Sequence, residues 1–516
     1  MKKINIWLMS LVVALASCTS DFEEINTDAK KPTEVDPAFI LTGVEGDLMN
    51  NYVYTSSLNE NETGTMAQYF AKHLYTDENV YDFRGGMFNT YWNRRYHNMY
   101  RMREALKMID TPPYNLQSNE IKANQKAIFE ILEIWTWTQL TDQFGDIPYS
   151  DALNTLDNLQ PAYDQQSEIY PDLVDRIDAA IASIDLGASS FGSADVILNG
   201  DMSRWVLFAN SLKLRMGMRI IDANTSKGEA AVAEAIADGV ISSNAENISF
   251  QFADETFRSP LRRNNGEAAW FDIVICKSFT DVVNERLDPR RGYQMYAWGY
   301  DYSAYYGDTF SSGGFDGYPL TDESYVTHGA KINEGLGLGW NPGSYDWAFL
   351  GWNFRYADEF ADENWDYLIM DYAEVLFLQA EAVERGIIAG SSEAFYNQAI
   401  TASMEYWGID PTAISAYLAQ PNVAYATAGA TWQEKIGTQK YIAFFPYSSE
   451  AFSELRRLDF PALTLPVKSA VELPAVASRM RYPQDEVLLN SSNTASAIND
   501  LGGENSLTAK VWWDVN

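Results

Sequence analysis

Residues 118–152 read SNEIKANQKAIFEILEIWTWTQLTDQFGDIPYSDA, and this stretch decides the fold class. At 100° per residue, Ile121, Ile128, Ile131, Leu132 and Trp135 fall within about 60° of one direction, the apolar stripe of a helix. Ile134 and Trp137 point well away from that stripe. A helix apolar on two faces has to be covered on two sides, as happens inside stacked helix pairs. Gly145 and Pro148 supply the stop and the turn. The same pattern recurs along the chain. Helices are expected at about 165–186 after Pro161, from the N-cap Asp201 to about Asn224, and at 365–385, 392–407 and 429–445. Strand signals are few and short, so the chain is expected to be mainly α.

Between the helical stretches lies a different kind of sequence. Residues 293–356 hold 18 aromatics in 64 positions, about 28% against 14% for the whole chain. They alternate with glycines, as in YQMYAWGYDYSAYYGD (293–308), and helical periodicity is absent. A stretch this aromatic is unsuited to disorder, and long loops in compact domains commonly carry function. It reads as an ordered, loop-rich excursion from the helical scaffold.

Composition narrows the function. The 516 residues carry 37 Lys+Arg against 71 Asp+Glu, a net charge of −34, with three His and two Cys. Length alone suggests about three domains, although a helical solenoid grows long as one unit. So acidic a chain is a poor partner for nucleic acid, which is bound mainly through Lys and Arg. His73, His97 and His328 have no metal-ligand spacing, and no G-x-S-x-G, H-E-x-x-H or P-loop occurs. No catalytic residue, cofactor or metal site is expected. With 71 acidic residues some carboxylate pair will always exist, so composition cannot support a glycosidase.

The N-terminus bears on the compartment. Met1-Lys2-Lys3 precedes an apolar run from Ile4 to Ala16, thirteen residues or about 20 Å of helix, short of a roughly 30 Å hydrocarbon core. Residues 1–17 therefore read as an export signal. Leu15-Ala16-Ser17-Cys18 resembles a bacterial lipobox, with Cys18 acylated to become the mature N-terminus. Residues 18–36, acidic and holding Pro32, suit a flexible tether. Cys276, in an apolar run, is then the one remaining thiol and reads as buried and inert.

Six collinear motifs resemble one family. KANQKAIFEILEIWTWTQLTDQFGDIPYSDA (122–152) looks like the signature helix and turn of SusD/RagB outer-membrane lipoproteins. GDMSRWVLFANSLKLRMGMR (200–219) is similar to that family's "NSLkLR" helix. LDPR (287–290), DYAEVLFLQAEAVERG (371–386), TQKYIAFFPYSSEAFSELRRLDFP (438–461) and RYPQDEVLLN (481–490) follow in the family's order. Asp21, Glu23 and Glu24 beside Cys18 resemble the acidic surface-export signals of Bacteroidetes lipoproteins. The resemblance implies a right-handed superhelix of tetratricopeptide-like helix pairs with an irregular subdomain bearing the ligand site. It also implies a lipid-anchored protein of the outer membrane, facing the cell exterior. Such proteins capture oligosaccharides, and sometimes peptides, and deliver them to a SusC-like TonB-dependent transporter. A surface glycoside hydrolase is the rival from another class.

Residues 37–516 accordingly read as one domain. Its helical scaffold covers about 37–290 and 357–465, its ligand subdomain about 291–356, and 466–516 form an irregular C-terminal segment. A sugar's apolar face packs on aromatic rings while its hydroxyls take hydrogen bonds from polar side chains. Trp298, Tyr300, Trp340, Trp347 and Trp352 are the leading platform residues, with the packing of the subdomain's own core as the competing role. Residues 75–93, YTDENVYDFRGGMFNTYWN, are a second candidate, offering Tyr81, Asp82, Arg84, Trp92 and Asn93; Trp92 could equally anchor its helix. Other motif residues read as structural. Arg204, Arg215 and Arg219 share a helical face and are expected to pair with carboxylates of a neighbouring helix. Glu374 and Glu381 are expected to pair with Arg456 and Arg457.

Overall fold

The computed structural model describes residues 35–53, 62–72, 78, 81–154, 158–253, 257, 273–290, 295–298, 353–356, 366–463, 465 and 475–516. Helices dominate. They are α1 (Pro37–Val53), α2 (Glu62–Met66), α3 (Asn89–Ile109), α4 (Asn119–Phe144), α5 (Gln166–Ser183), α6 (Met202–Ile220), α7 (Thr225–Asp238) and α8 (Lys277–Glu285) in the first half. The second half adds α9 (Tyr372–Glu384), α10 (Ser392–Tyr406), α11 (Pro411–Leu418), α12 (Trp432–Ala443), α13 (Ser448–Leu458), α14 (Gln484–Leu489) and α15 (Ser491–Asp500). Sequence neighbours pack as pairs: α4 on α5, α6 on α7, α9 on α10, and α12 on α13.

Local chemistry sets the helix limits. Ser118 caps α4 by accepting from the Ile121 N–H at 3.4 Å, and Gly145 ends it at φ 82°, a left-handed conformation that costs glycine nothing. From Ala127 onward every residue of α4 except Glu130 is buried, with Ile134 and Trp137 at 0% exposure and Trp135 at 1%. Both of its apolar faces are covered, as its pattern requires. Asp201 caps α6 with bonds from the Ser203 and Arg204 N–H groups. α6 ends at Ile220, before the expected Asn224, because Asn224 instead caps α7 through its Oδ1.

Two expectations are corrected. The apolar run before α9, read as part of a helix from 365, is a strand over Asp366–Met370. It pairs antiparallel with Ile248–Gln251, and the Asp371 carboxylate then starts the helix by accepting from the Glu374 N–H at 2.8 Å. The C-terminal segment, expected to be irregular, carries α14 and α15 and buries Trp513, whose indole donates to Asp142 at 2.9 Å.

The centre of the molecule is ionic. Arg215 donates twice to Glu374 at 2.6 Å, and Arg219 donates to Glu454 at 2.6 Å and to Glu450. Arg457 grips Glu381 with two bonds of 2.6 Å and also binds Glu454, which Lys440 reaches as well. The expected pairings are thus partly exchanged. Glu374 takes Arg215 in place of an arginine of α13, while Arg456 donates to the carbonyls of Asp142 and Ser478 at 2.7 and 2.9 Å. Arg204 likewise meets a carbonyl, that of Asn247, at 2.7 Å. A buried charge is tolerated only with such partners.

Candidate functional site

Three short antiparallel sheets organise the region that carries the candidates. They are β1 (Phe70–Lys72) with β3 (Ile273–Ile275), β2 (Ile248–Gln251) with β6 (Asp366–Met370), and β4 (Met295–Trp298) with β5 (Asn353–Tyr356). In the third, Trp298 lies opposite Asn353 and Met295 opposite Tyr356. The aromatic excursion therefore leaves and re-enters the fold on neighbouring strands. β5 also contacts β3, and β3 pairs with β1, whose chain runs on towards the loop at 81–93. Two candidate segments some two hundred positions apart in sequence thus spring from one group of strands. Tyr300, Trp340, Trp347 and Trp352 lie outside the described residues, as do Cys18, His73 and His328.

The loop at 81–93 is described, and it sorts its side chains by polarity. Tyr81, Phe83 and Phe88 are buried while Asp82, Arg84, Gly85 and Gly86 are exposed. Tyr81 stacks on Phe83 at 6.0 Å, and Phe83 meets Phe88 at 5.3 Å. Burial pushes the Tyr81 hydroxyl up to about 12. Arg84, exposed itself, donates to the buried Glu78 carboxylate at 2.9 Å. Trp92, one turn into α3, is 3% exposed, edge-on to Phe144 at 4.9 Å and tilted on Tyr96 at 5.0 Å.

Tyr81 and Trp92 are therefore core rings in this fold, and neither presents a face to solvent. The polar candidates are placed differently. Asp82, Arg84 and Asn93 are all exposed, and the segment meets the C-terminal helix α14. Asn93 donates to Asp485 at 3.2 Å, and Gln484 comes up against Gly85. The sequence reading missed α14 as a neighbour, although its motif was recognised. The available signal was Val487-Leu488-Leu489, three apolar residues in succession in a six-residue helix. Leu488 and Leu489 are 68% and 70% exposed, and Leu489's carbonyl accepts from Gln160 at 2.8 Å. Behind them the Glu486 carboxylate accepts from the Tyr163 hydroxyl at 2.9 Å and from Asn490 at 3.3 Å. Burial nevertheless raises its pKa above the ordinary carboxylate range.

This described surface offers exposed hydrogen-bonding groups beside exposed aliphatic side chains, which suits an amphipathic, uncharged ligand. Among the described residues no group of three or more His, Cys, Asp or Glu is arranged to hold a metal ion. His97 is exposed on α3. Among the described residues no helix is long and apolar enough to cross a membrane. Cys276 is buried, and burial pushes its thiol well above the ordinary range.

Known proteins share this architecture. A chitin-binding protein of known structure is 25% identical, with a TM-score of 0.73 over 93% of this chain and 100% of its own. A chitin-binding SusD homologue from Flavobacterium johnsoniae is 23% identical, with a TM-score of 0.70 over 92% of this chain and 99% of its own. A SusD homologue from Bacteroides uniformis is 24% identical, with a TM-score of 0.69 over 92% and 99%. No curated protein sequence matches the chain significantly. The SusD-like family model, described as starch-binding and associating with the outer membrane, matches residues 29–483. With nearly the whole chain matched and a mainly helical fold to agree, this protein belongs to the SusD-like family.

Proposed function

We propose that this protein is a non-catalytic, cell-surface nutrient receptor that captures an oligosaccharide and passes it to a SusC-like TonB-dependent transporter. It is held at the outer membrane, facing outward, by lipid on Cys18. The observation that carries this reading is the common origin of the two candidate segments. The aromatic excursion starts at the Trp298–Asn353 pair, and the polar loop at 81–93 follows the adjoining β1. Rings from one and hydrogen-bonding groups from the other are the two things a sugar needs. Two relatives of the same fold are chitin-binding proteins, which supports a carbohydrate ligand. The net charge of −34 favours neutral glycans over strongly anionic ones.

The experiment is affinity purification of the tagged, lipidated chain from detergent-solubilised outer membranes, with mass spectrometry of what accompanies it. A TonB-dependent transporter in stoichiometric amount is expected. Recovery of the chain alone, together with product release from labelled polysaccharides, would overturn the reading in favour of a surface hydrolase.

A further inference from the structure

A cleft of about 420 Å³ lies among α3, α4 and α5, formed by the helical scaffold and not by the loop at 81–93. Its size is that of a small-molecule site. One wall is Tyr149, from the turn that follows α4. Its ring is braced edge-on by Trp137 at 4.9 Å and 75°. Its hydroxyl accepts from Arg176 at 2.8 Å and donates to Asp172, so the ring is held in one orientation. The turn itself is closed by Asp164, which accepts from the Tyr149 and Ser150 N–H groups at 3.0 and 2.9 Å.

The charges in the cleft are unequally engaged. Arg103 is committed to the buried Glu133 by bonds of 2.7 and 2.5 Å. Arg176 is divided between Glu130 at 2.6 Å and Glu133 at 2.8 Å. Glu168 and Asp172, both exposed at the opening, have no ion-pair partner among the described residues. Acceptor oxygens therefore exceed free N–H donors beside an immobilised ring. The complementary ligand has an apolar face for the ring and many donors for the oxygens, whereas a carboxylated ligand would meet like charge.

We propose that this cleft is a second saccharide subsite, selective for neutral or amino sugars over uronic acids. The proposal rests on the reading of the protein as a glycan binder. Titration calorimetry of the full chain with tetramers of glucose, N-acetylglucosamine, glucosamine and galacturonic acid tests it. Glu168→Gln and Asp172→Asn are compared with Trp340→Ala, with melting temperatures as the folding control. Glu168 lies at the exposed opening, so Glu168→Gln should melt like the wild type.

The expected result is two classes of site for a neutral or amino tetramer. The cleft substitutions should weaken one class at least fivefold and leave the other unchanged. A single class, unaltered by both cleft substitutions, would overturn the subsite while leaving the glycan receptor intact. Failure of every tetramer to bind would overturn the glycan reading and the subsite with it.

Discussion

Arg457 and Glu381, 76 positions apart, face each other through two N–H···O bonds of 2.6 Å with side-chain exposures of 1% and 0%. One residue belongs to α13 and the other to α9, so this fork ties together two helices that the chain visits far apart. Glu381 also accepts from Arg385 at 2.8 Å, and Arg457 also donates to Glu454. The pair is thus the junction of a buried network. Removing Arg457 takes two of the three N–H donors from the buried Glu381 carboxylate and leaves it only the Arg385 bond at 2.8 Å.

Arg457→Ala should therefore destabilise the protein by about 3–5 kcal/mol, the usual cost of removing one partner of a buried ion pair. Arg457→Lys should fall between it and the wild type, because a single ammonium cannot reproduce the planar fork. Urea unfolding midpoints measure both. A cost under about 1 kcal/mol for the alanine variant would mean that the network contributes little to stability.

Trp92 and Asn93 are sequence neighbours with opposite roles. Trp92→Ala opens a cavity among Phe144, Tyr96 and Tyr482 and should cost about 3–5 kcal/mol. Asn93→Ala loses one exposed bond to Asp485 and should stay within about 0.5 kcal/mol. Thermal melting separates the two. Any effect of Asn93→Ala should appear in ligand affinity instead.

These contrasts show what was legible in the sequence. The two-faced helix 119–144 and its glycine stop follow from periodicity and turn chemistry alone. That Glu374 would choose Arg215 over α13 does not, because partner choice among buried charges depends on tertiary placement. The strand at 366–370 was misread because DYLIM, apolar and short, fits helix and strand equally well; its pairing with 248–251 decides. At the candidate site, residue types suggested rings and polar groups together. Alternation of buried and exposed positions in the irregular loop before α3 has no period to read, so the burial of Tyr81 was hidden, whereas Trp92 takes the helix-anchoring role that its position also allowed.

A pH dependence follows from Glu45, fully buried on α1 beside buried Asp195. Burial, with Asp195 adding to it, raises the Glu45 pKa well above the usual carboxylate range. The folded state then holds a proton that the unfolded chain releases at about pH 4 to 5, so this group's contribution to stability falls as pH rises above that range. Glu45→Gln keeps an uncharged side chain at every pH. The stability difference between variant and wild type, followed by urea unfolding, should shift in the variant's favour from pH 4 upward. A pH-independent difference would place the Glu45 pKa at its ordinary value.

Thiol counting tests the lipid anchor and the core together. Cys276 is 2% exposed, so native protein should not react with an aromatic disulfide reagent on a timescale of minutes. In denaturant the chain isolated from membranes should yield one thiol, because the proposed thioether to lipid occupies the Cys18 sulfur. Two thiols would show that Cys18 is unmodified.

The central claim is carbohydrate capture through the excursion between Trp298 and Asn353 and its neighbouring loop. Affinity electrophoresis of the purified chain in gels containing a panel of neutral polysaccharides tests it most directly. Trp298→Ala, Trp340→Ala, Trp347→Ala and Trp352→Ala are run alongside the wild type. The account predicts retardation of the wild type by at least one glycan and a tenfold or greater loss, about 1.4 kcal/mol, in at least one variant that melts normally. Unretarded migration in every glycan, with binding of peptide mixtures instead, would contradict it.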